Sequence, residues 1–236
     1  MKSLNNWLLV LSVLSCFGCS SPVHEDDRGC AFVSDSIQYR VEFMSAGCVR
    51  ILSFPEGDTL VTKRLVVDSE KPAFKDYKWE DTGQKLLFRT RELSVVFDKA
   101  DAAFIFQETS TGKLLLKEKG DRKARNFKRS VAGGEQCLEV TQCFVPTEDE
   151  AIYGLGQYQN GIMNYRGKSV LLLQANMDIV NPFLISTNGY GVLWDNYSST
   201  KFEDTKEGYS FTSEVGDASD YYFVYGKNMD LSLIHI

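Results

Sequence analysis

Histidine is nearly missing from this chain. Two occur in 236 residues, His24 and His235, one close to each end. The long stretch between them therefore holds no Ser-His-Asp triad, no histidine general base and no histidine-ligated metal. A cysteine nucleophile would lack its usual partner as well. No CxxC pair is present, which argues against zinc. Nothing in the sequence calls for a metal or a cofactor. Positive charge is outnumbered: the net charge is −6 and no basic stripe runs through the chain, so nucleic acid is a poor partner. The one basic cluster, "RKARNFKR" from Arg122 to Arg129, reads as a solvated loop. Helical periodicity is absent too, because no stretch of a dozen residues beyond the first twenty repeats at 3.6.

What is present is enough apolar material for a core. The chain is 43% hydrophobic and 12% aromatic, which separates it from disordered sequences. Its first residues read as an export signal. Lys2 precedes an apolar run from Trp7 to Phe17, too short to span a bilayer, which takes ~20 residues. The run ends in "VLSCFGCSS", where a small residue precedes a cysteine twice. That pattern is expected of a lipoprotein signal over residues 1–18, with Cys19 lipidated and Cys16 as the alternative. An exported chain, held at a bacterial membrane by its lipid alone and facing the periplasm or the cell surface, is the expectation. Residues 19–30 then form a polar tether.

The periodicity is that of strands. In "SIQYRVEF", Ile37, Tyr39, Val41 and Phe43 alternate with polar residues, as in a half-buried strand. Similar runs recur about every ten residues, with Gly, Asn and Asp between them. This spacing predicts an all-β sandwich over residues 31–230. Beyond the signal-like segment four cysteines remain, Cys30, Cys48, Cys137 and Cys143. Cys137 and Cys143 lie on one strand, ~20 Å apart, and cannot bridge each other. A Cys30–Cys48 disulfide and four buried thiols both stay open.

Few residues suggest chemistry. "YGLGQYQNG" lacks the third glycine of a dinucleotide loop, so Gly154 and Gly156 are expected to serve a positive φ or a close backbone approach. Asp178 follows Asn176 in a short break between two apolar runs, with Pro182 stiffening the exit. Such a loop can present a polar group to a ligand, or the aspartate can simply satisfy its own turn. Tyr153, Tyr158, Tyr190, Trp194 and Tyr197 could stack on sugars, although alternation must turn several of them inward.

The stretch from Ile152 to Asp204 resembles the amino-terminal domain of glycoside hydrolase family 31, which includes α-glucosidases and α-xylosidases. The motifs are "YGLG" at Tyr153–Gly156, "N-x-D" at Asn176–Asp178, "PF-x-x-S" at Pro182–Ser186 and "GYG" at Gly189–Gly191, followed by an aromatic-containing strand. Flanking strands extend the likeness to about Ala31–Asp230, and exported bacterial α-xylosidases are the members it most resembles. The resemblance implies a galactose-mutarotase-like β-sandwich that packs on a (β/α)8 barrel. In the family the barrel carries both catalytic carboxylates of a retaining mechanism, ~5–5.5 Å apart. It implies no catalytic residue in this chain. Asp178 matches an aspartate that helps bind sugar at the leaving-group side; Asn176, Gln157 and Tyr153 are candidates for the same rim. The loop from Asp178 to Pro182 is shorter here than in typical α-glucosidases.

The chain closes on "LSLIHI", an uncapped apolar run. Its codons can spell a transposon-end adapter, so residues 231–236 are expected to be a library scar on a sequence truncated before its barrel. Two other classes compete. One is a stand-alone lipoprotein that binds glycans through aromatics in "GYGVLWDNYS". The other is a mutarotase-type epimerase, which would need the missing histidine.

Overall fold

The computed structural model describes residues 22–58 and 73–226. The expected signal segment with Cys16 and Cys19, and residues 231–236 with His235, lie outside that range.

Among the described residues there are eighteen strands and no helix. In chain order they are β1 (His24–Glu25), β2 (Cys30–Ser34), β3 (Ile37–Ser45), β4 (Cys48–Pro55), β5 (Lys78–Asp81), β6 (Lys85–Arg89), β7 (Leu93–Asp98), β8 (Ala103–Glu108) and β9 (Leu114–Glu118). Then come β10 (Arg125–Ala132), β11 (Glu135–Val145), β12 (Ile152–Gln157), β13 (Ser169–Leu172), β14 (Ile179–Ser186), β15 (Tyr190–Trp194), β16 (Thr200–Thr205), β17 (Gly208–Gly216) and β18 (Ser219–Tyr225). An eight-stranded sheet runs β1-β2-β3-β4-β18-β15-β14-β12. A ten-stranded sheet runs β13-β16-β17-β11-β9-β8-β7-β6-β5, with β10 paired to β11. Every pairing is antiparallel. The expected β-sandwich is present.

The two inner faces meet through aromatic rings. Phe106 of β8 stacks on Phe223 of β18 at 4.2 Å, and Trp194 of β15 lies parallel to Phe211 of β17 at 5.6 Å. Phe144 meets Tyr221 edge-on at 5.1 Å. Each fully buried ring of this kind contributes roughly 1.5–3 kcal/mol over its exposed state. Trp194 is wholly buried and satisfies its indole N–H on Ser213 Oγ at 2.9 Å.

One carboxylate sits inside this apolar layer. Glu118, at the end of β9, is 1% exposed. It accepts from Phe104 N at 2.7 Å, Gln142 Nε2 at 2.9 Å and Tyr221 Oη at 2.8 Å, and forms a short ion pair with Arg125. Arg125 donates to Tyr39 Oη and Ala102 O, both at 2.9 Å, and its guanidinium lies over the Tyr39 ring. Burial works against the Arg125 charge, but Glu118 beside it holds the group above its ordinary value. The network joins both sheets.

Three expectations change. "RKARNFKR" is no solvated loop: from Arg125 it forms β10, and Arg125 is a core residue. The polar stretch expected as a tether is docked at its end. Glu25 pairs across β1–β2 and accepts from Tyr77 Oη and Trp79 Nε1, at 2.9 and 3.0 Å. Asp26 pairs with Arg40 and accepts from the amides of Arg28 and Gly29. Burial raises the Asp26 carboxyl, yet these partners outweigh it and hold the group at about 2. Cys30 is itself a core residue of β2. The third change concerns the cysteines. All four thiols are free, but only Cys30 and Cys48 are buried, while Cys137 and Cys143 are half-buried along β11.

The Glu118 network sets the first expected outcome. Glu118→Ala leaves Arg125 buried without its counter-ion, and should cost about 3–5 kcal/mol in urea unfolding. A loss under about 1 kcal/mol would contradict the role given to it.

Candidate functional site at the open edge of the sandwich

The chain crosses between sheets at one edge. β12 ends the eight-stranded sheet and β13 ends the ten-stranded one. The link from β13 back to β14 is the turn that carries Asn176 and Asp178. Met177 sits at its tip with φ 71°, and Asp178 N donates to Ala175 O at 3.3 Å. Gln174 braces the turn with its exposed side chain. Its Nε2 donates to Asp178 O at 2.9 Å, and its Oε1 accepts from Val180 N at 3.1 Å.

These bonds decide between the two readings of Asp178. Its backbone is satisfied by Ala175 and by Gln174, not by its own carboxylate. Among the described residues none donates a hydrogen bond to that carboxylate, and the side chain is half-exposed. A turn held by other groups leaves the charge available to a ligand. Tyr158, braced by a bond to Leu155 O at 3.0 Å, lies close enough to register that charge. Burial pushes its phenol up to about 12, with Tyr165 and Asp178 adding to the shift.

β12 aims at this turn through three successive positive φ values. Gly154, Leu155 and Gly156 take φ 101°, 65° and 116°, and the β12–β14 register slips between Gly154 and Gly156. The bulge buries Leu155 completely and bends the strand. A Cβ on Gly156 would lie 2.0 Å from Ile179 O, so glycine is obligatory there. This is the expected backbone use of the two glycines, and no phosphate loop is formed.

The candidate residues separate accordingly. Gln157 pairs with Ile179, next to Asp178, so Gln157, Asn176 and Asp178 share one end of the β12–β14 pair. Tyr153 pairs with Ile185, four residues and roughly 13 Å back along β12 from Gln157, and does not join them. Of the aromatics, Tyr190 and Trp194 are fully buried, which removes the centre of the proposed glycan platform. Tyr197 alone of that run is largely exposed, at 52%.

Residue-by-residue reading of chemistry missed the company Asp178 keeps. Leu171, Leu173, Met177 and Ile179, on and beside the turn, are exposed, at 48–68%. Leu171 stands on the outward side of β13, where alternation calls for a polar residue, and Leu173 follows directly after the strand. The sequence signal was present: "VLLLQ" does not alternate. An apolar edge of this kind marks a surface that another body covers.

The site is thus a presented carboxylate on the apolar edge of a two-sheet antiparallel sandwich. Residues 38–203 match the Glycosyl hydrolase 31 N-terminal galactose mutarotase-like domain, and the chain belongs to that family. It is 32% identical over 210 residues to an α-xylosidase of Saccharolobus solfataricus, which covers 83% of this chain and 27% of that protein. The chain thus spans about a quarter of that relative's length. Among solved structures, a family 31 α-xylosidase from Xanthomonas citri superposes with a TM-score of 0.65 at 29% identity, over 78% of this chain and 20% of that one. A Flavobacterium johnsoniae dextranase shares the fold at a TM-score of 0.73 and 19% identity, over 92% of this chain and 27% of its own.

Gly156→Ala tests how the turn is built. The added methyl must push Ile179 away, so the variant should lose about 1–3 kcal/mol of stability. Amide exchange should quicken in residues 174–180 while β15 and β18 stay protected. Unchanged exchange in the turn would show that the bulge does not position it.

Proposed function

We propose that this chain is the amino-terminal part of an exported retaining α-glycosidase, an α-xylosidase, that removes α-linked sugars from oligosaccharides. The barrel that carries the two catalytic carboxylates belongs to the rest of the polypeptide. In this reading the chain contributes binding, not bond cleavage. The observation that carries it is the Asp178 carboxylate, which accepts no hydrogen bond from a described residue and sits on a braced turn within an apolar rim. The rim packs on the barrel, and Asp178 then reaches the leaving-group side of the bound sugar, where it accepts hydrogen bonds from sugar hydroxyls. Asn176 and Gln157 flank it. Attachment through a lipid on Cys19 holds the enzyme at a bacterial membrane, and β1 begins only a few residues later.

In the full-length gene product, Asp178→Ala should lower kcat/KM on an α-xylosyl disaccharide by about 10- to 100-fold, the value of a hydrogen bond to a charged group. Turnover of an aryl α-xyloside, whose leaving group offers no hydroxyl to Asp178, should change far less. Equal losses on both substrates would contradict a leaving-group role. Metabolic labelling with a radioactive fatty acid should mark the wild-type protein and not Cys19→Ala. Label retained in that variant would move the anchor to Cys16.

A further inference from the structure

The sequence has two Asn-Gly steps, Asn160-Gly161 and Asn188-Gly189. Both serve turns, with glycine φ values of 69° and 87°. Such a step also carries a chemistry of its own. The glycine amide nitrogen can attack the asparagine side-chain carbonyl, because no Cβ stands in its way. The fold treats the two steps in opposite ways. The second is locked. Asn188 Nδ2 donates to Leu115 O at 2.7 Å and to Leu114 O at 3.3 Å, and its main-chain amide donates to Ser186 Oγ at 3.0 Å. The attacking nitrogen is engaged as well: Gly189 N donates to Ser186 O at 3.1 Å, and Gly189 is buried in the β14–β15 turn. The first is open. Asn160 and Gly161 are exposed on the crossing from β12 to β13. Among the described residues, none accepts a hydrogen bond from Asn160 Nδ2 or from Gly161 N. A Cβ on Gly161 would meet nothing within 4 Å, so its surroundings are clear. Asn160 Oδ1 accepts from Ile162 N at 2.9 Å. That donor is aimed at the oxygen on which negative charge grows as the nitrogen attacks.

We propose that Asn160 is a site of spontaneous deamidation, which converts the loop after β12 to aspartyl and isoaspartyl forms, while the fold keeps Asn188 intact. The Gly161 nitrogen gives its proton to solvent base and bonds to Asn160 Cγ. The Cγ–Nδ2 bond breaks, and Nδ2 takes up a proton and leaves as ammonia. Water then opens the five-membered imide at one of its two carbonyls. Opening at Cγ leaves aspartate at position 160. Opening at the main-chain carbonyl leaves isoaspartate, which lengthens the main chain by one carbon. In total one water is consumed and one ammonia released, and nothing is oxidised or reduced. Either product adds a negative charge to the loop that leaves Gln157, whose partner Ile179 adjoins Asp178. Isoaspartate also moves the acceptor of Ile162 N from the side chain into the main chain. This chemistry does not rest on the glycosidase reading.

The test is incubation of the intact 236-residue chain at mildly alkaline pH, followed by peptide mass mapping. A gain of one mass unit should appear in the peptide that holds Asn160 about tenfold or more faster than in the peptide that holds Asn188, which must first break several hydrogen bonds. A protein-isoaspartate methyltransferase with labelled S-adenosylmethionine should mark the Asn160 peptide alone. In urea both steps are released, and the two rates should converge. Equal rates in the native chain, or faster reaction at Asn188, would overturn the proposal. So would a native Asn160 that reacts about tenfold or more slowly than in urea, because the fold would then protect it too. Asn160→Gln, whose longer side chain must close a six-membered ring, should abolish the gain in that peptide. A gain that persists in the variant would place the reaction at another residue and overturn the assignment.

Discussion

A single buried carboxylate, that of Glu118, constrains much of this sandwich. A charge in an apolar core persists only if its desolvation is offset by many short bonds at once. Glu118 meets that demand with donors from β8, β10, β11 and β18, so four strands must be in register before it is satisfied. Aromatic burial drives the sheets together but is tolerant of sliding. The Glu118 bonds are directional and fix where β18 of one sheet stands against β8 and β11 of the other. With β18 placed, β15 and β14 follow by pairing, and the Asp178 turn at the far edge inherits its position.

That dependence explains what could be read from the sequence and what could not. Alternation exposed β3, and the motif around Tyr153–Gly156 and Asn176–Asp178 pointed to the family and its fold. Arg125 gave no such signal. In "RKARNFKR" it looks like any surface cation, because its partner lies several residues away on β9 and its ring platform, Tyr39, is 86 positions distant. Glu25 and Asp26 misled in the same way. A polar, acidic stretch after an apolar run reads as linker until Tyr77, Trp79 and Arg40 arrive from elsewhere in the chain. Tyr190 and Trp194 looked like sugar platforms because composition does not say which face of a strand a ring occupies.

The candidate site follows a different logic from the core. The bulge at Gly154–Gly156 and the positive φ of Met177 store strain at an edge, where the backbone must turn between sheets. Gln174 satisfies the turn, which frees the carboxylate beside it. Exposed Leu171, Leu173, Met177 and Ile179 would be a liability on a free edge. They make sense on a domain built to be covered, and a relative roughly three times as long is consistent with that role.

The central claim is that this sandwich is one part of a glycosidase whose chemistry lies elsewhere in the same polypeptide. The direct measurement is the gene itself, amplified from genomic DNA without transposon fragmentation and sequenced through the codon for Asp230. The account predicts an open frame that continues into a (β/α)8 barrel with two aspartates placed for a retaining mechanism. A stop codon directly after Ile236 in the genomic sequence would contradict it.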